Sequence, residues 1–207
     1  MEDQWLKWAK RLQAIASTGL HFSKDDFDRE RYREVATIAH SMLASLGNIP
    51  IERIEGLLSD FAKGYATPKI DVRGAVIENA KVLLVREKSD GLWTLPGGFA
   101  DVGLSATENV IKEIREETGI RVSVTALYSV RHKAKQIYEP DIRDFYKMFF
   151  LCRRVDAVPP KPGCEILDAA FFARNSLPQL SKGRVIERDI EAAFAFHENP
   201  EQTVAVD

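Results

Sequence analysis

The sequence predicts an α/β domain preceded by a small all-helical bundle. Three observations carry this. Over the first 65 or so residues apolar side chains recur at spacings of three and four, the period of helices buried on one side. From Lys69 onward short runs rich in β-branched and aromatic residues replace that pattern. Between those runs lies one strongly marked helix, residues 104–120, entered from a Leu95-Pro96-Gly97-Gly98-Phe99 loop and closed by Gly119.

In chain order, Trp5, Trp8, Leu12 and Ile15 predict an amphipathic helix ended by Gly19. Ser23 and Asp25 offer caps for a second helix with the stripe Val35, Ile38, Ala39, Met42 and Leu46, stopping at Gly47-Asn48. Pro50 fits the first turn of a third, with Ile51, Ile54, Leu58 and Phe61 inward. Residues 64–68, Gly-Tyr-Ala-Thr-Pro, read as a linker, which divides the chain into a helical domain over 1–65 and an α/β domain over 66–207. Strands follow at 70–77 and 81–85 around a turn at Glu78-Asn79-Ala80, and Trp93-Thr94-Leu95 leads into the glycine loop. Further strands fall at 122–131, 145–154 and 166–173, and a closing helix spans 184–197. The stretch 132–144 reads as a polar loop carrying Lys133, Lys135, Tyr138, Glu139 and Asp141. Residues 158–163 form a stiff proline-rich turn, and the last ten residues are expected to fray.

Composition excludes several classes. A net charge of −2 over 207 residues provides no general attraction to nucleic acid or to anionic membranes. The longest apolar run, near Met148 to Cys152, is far too short to span a bilayer. The first residues lack the basic and apolar regions of a secretory signal, so a cytoplasmic location is expected. Cys152 and Cys164 have no metal-ligand spacing and read as buried thiols. Basic and acidic residues nearly balance over 1–63, which argues against a DNA-reading bundle.

The helix over 104–120 concentrates the chemistry. Ser105 or Thr107 caps it, and Gly119 stands where a left-handed C-terminal cap is expected. At roughly 100° per residue, Glu113, Glu116 and Glu117 project onto one face, while Val110, Ile111, Ile114 and Thr118 form the face for a sheet. Like charges three and four apart repel, so a crowded acidic triad beside a core face calls for a compensating positive charge. A divalent cation with oxygen ligands meets that need, the alternative being a plain solvated acidic face.

The loop and helix together resemble the Nudix box, G-x5-E-x7-R-E-U-x-E-E-x-G-U with U aliphatic. Gly98, Glu113, Ile114, Glu116, Glu117, Gly119 and Ile120 stand at its spacings behind the usual Pro-Gly-Gly, and the resemblance extends over residues 70–175. It implies an α/β/α sandwich with a mixed sheet. It also implies hydrolysis of the diphosphate in a nucleoside diphosphate linked to a variable group, with Mg²⁺ or Mn²⁺ held by Glu113, Glu116, Glu117 and the carbonyl of Gly98. Two positions depart from the pattern: Leu104 replaces the first glutamate and Lys112 the arginine. In the family those two brace each other, and Glu108, four residues before Lys112, is the expected substitute partner.

The segments 5–20 and 177–184 resemble a bacterial Nudix subgroup with an N-terminal helical domain, acting on nucleoside diphosphate conjugates. That subgroup makes CDP-choline and ADP-ribose the leading substrates, and the exposed remainder of the first helices' apolar stripes suggests an oligomer contact and a homodimer, pure core packing being the alternative. The proton acceptor is open between Glu165, the loop acids Glu139 and Asp141, and Glu116. Arg86 and Phe99 are candidate substrate contacts, as is Arg131, with a surface or structural role as the alternative for the arginines. Two other readings use the same residues: an enzyme acting on RNA 5′ ends, and a nucleotide sensor that does not cut.

Overall fold

The computed structural model describes residues 3–59 and 64–207. These fall into two compact units. One comprises Met1–Pro68 with Pro140–Asp144, the other Lys69–Glu139 with Phe145–Asp207.

In the first unit α1 runs Gln4–Phe22, α2 Asp26–Gly47 and α3 Ile51–Ser59. Asp3 and Asp25 cap α1 and α2 by accepting from Trp5 and Asp28 amides, and Asn48 in the left-handed region ends α2. Gly19 does not end α1. It lies inside the helix, and a Cβ there would sit 2.4 Å from the Tyr32 ring, so the glycine is what lets the two helices approach. The core is Ala9, Leu43, Ile54 and Leu58, with Ile142 of the second segment packed against it. The face that α1 turns inward is small, namely Ala9, Gln13, Ala16 and Ser17. Trp5, Trp8 and Ile15 are therefore turned outward, about half exposed, as are Ile38 and Leu46 on α2. Phe61, expected to face inward, lies outside the described residues.

The second unit is a mixed sheet between two helices. Its elements are β1 (Lys69–Glu78), β2 (Lys81–Glu87), β3 (Trp93–Thr94), β4 (Gly97–Phe99), α4 (Ala106–Thr118), β5 (Val122–His132), β6 (Phe145–Arg154), β7 (Ile166–Ala173) and α5 (Glu187–Glu198). β1 runs parallel to β6, with Asp71 opposite Lys147; the other pairings between these named strands are antiparallel. β2 joins β1 through a turn in which Asn79 and Ala80 take φ of 51° and 56°, the mirror-image turn that suits the strand twist. β2 then pairs with β3 at its far end and with β7 along its length. Part of the loop expected over 95–99 is itself a strand, β4, paired to the start of β1.

Alternation along β1 feeds two cores. Val72 and Val76 meet Val110 and Ile114 of α4, and Gly74 lies so close beneath α4 that a Cβ would stand 2.5 Å from Ile114 Cδ1. On the opposite face Ala75, Val82, Leu84 and Phe149 pack on Ile190, Ala193 and Phe194 of α5. Both cysteines are free thiols, but only Cys152 is buried; Cys164 sits exposed beyond the proline-rich turn. The C-terminal residues are pinned and not frayed. Ala205 exchanges backbone hydrogen bonds with β5, its N–H donating to Tyr128 O at 3.0 Å and its carbonyl accepting from Val130 N at 2.9 Å. No helix among the described residues is long and apolar enough to cross a membrane.

Candidate active site

α4 begins at a complete capping box: Ser105 Oγ accepts from the Glu108 amide at 3.2 Å, and Glu108 Oε2 accepts from the Ser105 amide at 2.8 Å. Gly119, at φ 71°, closes the helix. Glu108 is thus committed to the cap and does not brace Lys112. That partner is Asp101 of the loop, whose carboxylate lies 2.8 Å from Lys112 Nζ, with Glu116 at 3.4 Å on the other side. Asp101 stands three positions before Leu104 and supplies the loop acid that Leu104 cannot.

The glycine loop meets the acidic face of α4 directly. Gly97 takes φ 141°, and a Cβ there would fall 2.0 Å from the Val72 carbonyl oxygen, so no other residue fits. Its N–H donates to Glu117 Oε2 at 2.9 Å. A Cβ on Gly98 would lie 3.1 Å from Glu113 Oε2, so this carboxylate rests against bare backbone. Burial pushes the Glu117 carboxyl up to about 8, against the pull of the Arg73 charge and the Gly97 amide, with Glu87 and Glu113 adding to the rise. Burial also raises Glu113, opposed by Lys112 and reinforced by Glu116. Glu116 itself is exposed.

The proline-rich turn is anchored on the last turn of α4: Lys161 N–H donates to Thr118 O at 2.8 Å and Gly163 N–H to Glu117 O at 2.9 Å. A Cβ on Gly163 would lie 2.0 Å from the Glu116 carbonyl oxygen. Glu165, two residues on, is exposed, and its carbonyl accepts from the Lys88 amide at 3.2 Å. Arg86 spends its Nε on the Gly91 carbonyl at 2.8 Å. Arg131 is buried and donates to the Val206 carbonyl at 3.2 Å, a structural role. Phe99 is 45% exposed and stacks nearly parallel on Phe145, centroids 5.5 Å apart, with Lys69 Nζ 5.2 Å from its ring centre.

The expected polar loop over 132–144 is only partly that. Lys133, Ala134 and Tyr138 are buried, and Tyr138 donates to Asp189 Oδ2 at 2.7 Å. Glu139 is exposed, while Asp141 grips Arg143 through two oxygens at 3.0 Å.

Sequence reasoning missed Asp101, Glu87, Asp71 and Arg73. The last two had a signal, being opposite charges two apart on a strand whose neighbouring positions are apolar.

The donor set is entirely oxygen, with two carboxylates that burial disfavours as anions and a glycine backbone lying open against one of them. This fits a hard divalent cation. Among the described residues no three acidic, histidine or cysteine side chains close around a point by themselves. A cation that shares its coordination with water and phosphate oxygens, as Mg²⁺ does, needs no such cage.

Residues 68–194 match the NUDIX domain family, and residues 3–58 match the family described as "UDP-X-like, N-terminal oligomerisation domain". A putative ADP-ribose pyrophosphatase of Bacillus subtilis is 42% identical over 207 residues, covering 100% of this chain and 99% of that protein. The crystal structure of a UDP-X diphosphatase superposes with a TM-score of 0.64 at 35% identity, covering 98% of both chains. An ADP-ribose pyrophosphatase from Streptococcus suis superposes at 0.62 with 33% identity, over 68% of this chain and all of that one. With the box glycines and glutamates gathered between β4 and α4, the chain belongs to the Nudix family of pyrophosphohydrolases, its Nudix domain preceded by an N-terminal domain of the UDP-X-like oligomerisation type.

Proposed function

We propose that this protein hydrolyses the diphosphate of nucleoside diphosphate-X compounds, releasing a nucleoside monophosphate and phosphorylated X. The observation that carries it is the contact of Glu113 and Glu117 with the Gly97-Gly98 backbone, and two carboxylates beside an open glycine turn are what binding a diphosphate with its cation calls for. Glu113, Glu117, Glu116 and the Gly98 carbonyl are the residues that would hold Mg²⁺ or Mn²⁺. Such a cation, when bound, draws charge from the diphosphate and makes the attacking water more acidic. Gly97 N–H fixes the orientation of Glu117. Lys112, between Asp101 and Glu116, keeps the exposed third glutamate on the same face. Glu116, and Glu165 on the turn anchored to the end of α4, are the acids offered for the water's proton; Phe99 presents a ring for the base.

Among substrates, ADP-ribose gains support from relatives named as ADP-ribose pyrophosphatases, a nucleotide sugar from the neighbour named UDP-X diphosphatase, and CDP-choline remains in the set. The helical unit exposes Trp5, Trp8, Phe22 and Phe27 and matches an oligomerisation domain, which supports a homodimer.

The test is a panel of ADP-ribose, UDP-sugars, CDP-choline, nucleoside triphosphates and 5′-triphosphate RNA with Mg²⁺ or Mn²⁺. Cleavage of a conjugate to a nucleoside monophosphate is expected. Cleavage of RNA ends alone refutes the substrate class, and tight nucleotide binding without cleavage of anything refutes the activity.

A further inference from the structure

The sheet face turned toward α5 carries buried charge. Asp71 and Arg73 on β1 are 5% and 4% exposed, and Lys147, opposite Asp71 on β6, is 2% exposed. Arg73 grips Asp71 with two of its three guanidinium nitrogens, Nε to Oδ1 at 3.0 Å and Nη2 to Oδ2 at 2.9 Å. Lys147 Nζ lies 2.8 Å from Asp71 Oδ1. Burial would raise the Asp71 carboxyl, but the two cations outweigh it and hold it at about 2. A buried ionic cluster is weak evidence of stabilisation, because desolvation offsets most of the attraction. Its geometry is more telling.

The remaining arm of Arg73, Nη1, donates to the Leu95 carbonyl at 3.2 Å. The next backbone amide, Gly74 N–H, donates to the Pro96 carbonyl at 2.9 Å, and Arg73 is the β1 residue in register with Gly97. Gly97 N–H in turn holds Glu117. The Leu95-Pro96-Gly97 corner is therefore fastened at three successive residues, and the side chain that fastens it also sets its charge against burial of Glu117. An apolar residue at position 73 could fill the space but could not reach the carbonyl.

We propose that Arg73 is a positioning residue of the active site: held rigid by Asp71, its guanidinium fixes the Leu95-Pro96-Gly97 corner so that the Gly97 amide is presented to Glu117. The catalytic part of this rests on the diphosphate-hydrolase reading above. Lysine keeps the charge but has no planar fork to hold Asp71 and Leu95 together.

The experiment compares full-length wild type, Arg73→Lys and Arg73→Gln by residue-resolved amide hydrogen exchange without metal, and by steady-state kinetics on the best conjugate of the panel. In both variants exchange at Gly74 and Gly97 should rise about tenfold or more while amides of Val82 to Val85 keep wild-type protection. kcat should fall by about a hundredfold with KM nearly unchanged, the pattern of lost orientation. Arg73→Lys is the variant that decides if Arg73→Gln fails to fold. Wild-type exchange at Gly74 and Gly97, or an equal rise at Val82 to Val85, would overturn the proposal by leaving Arg73 idle or merely stabilising. A wild type that cleaves no conjugate would sink the functional reading, and the exchange contrast would still decide for or against Arg73.

Discussion

Glu117 is where local geometry and electrostatics meet. Its folded-state carboxyl sits at about 8 against an ordinary 4.5, chiefly through burial. A raised carboxyl favours folding only while protonated, so in metal-free protein its contribution is complete below pH 4.5 and is lost as the pH climbs through about 8. Thermal melts in chelator should therefore show stability falling over that window, by on the order of a few kcal/mol. Glu117→Gln should flatten the dependence and melt higher than wild type at the alkaline end. The same substitution, and Glu113→Gln, should lower kcat by about a hundredfold or more with the fold intact. Near-normal turnover of either variant at saturating Mg²⁺ would remove the site assignment. Position 104 is a quieter case. Because Asp101 already braces Lys112, the pair Leu104→Glu with Lys112→Arg should leave kcat/KM within about tenfold of wild type. A gain of several hundredfold would instead mark this chain as a damaged enzyme.

Among the elements, α4 behaves as its sequence announces, because caps, acidic face and apolar face all follow from spacing along one helix. The C-terminal residues do not. They bridge to β5, accept from Arg131 through Val206, and present Asp207 to Gln136 Nε2 at 2.7 Å and to the His132 amide. Deleting residues 203–207 would strand the buried Arg131 and uncover backbone groups of β5. We expect a loss of about 1–2 kcal/mol, seen as a Tm lower by about 3–6 °C, with kcat little changed. An unaltered melting curve would mean that the tail does not hold the strand. Nothing local marks this segment as ordered: short, polar at its end and without a turn signal, it resembles any terminus until its partner strand exists.

For the whole molecule the distinctive feature is the helical unit, with bulky aromatic residues outside and alanines within. Removing residues 1–64 should leave a folded Nudix domain whose mass, by light scattering, drops to that of a monomer or whose solubility falls. A full-length protein that is monomeric at every working concentration would contradict the homodimer. Trp5→Ala together with Trp8→Ala should weaken the same association without altering the far-ultraviolet dichroism, since both rings are about half exposed in the unit itself.

Local spacing by itself determined a good deal. It placed every strand of the sheet but β4, the capped helix, the three glutamates on one face and the glycines that meet them, because each depends on residues within a turn or two of one another. It also supplied the family, since the box is a local pattern. The tertiary structure decided which partner each face met. Asp101 rather than Glu108 reached Lys112 because the capping box had already claimed Glu108. Trp5 and Trp8 turned outward because the crossing at Gly19 admits only a narrow α1 face, and periodicity cannot say which side of a helix a neighbour will choose. Arg73 reached the Leu95 carbonyl, 22 residues away in sequence, only once β1 and β4 had paired. A charge within an apolar strand can be read from the sequence, but the group it serves is set by a contact that exists only after the chain has folded.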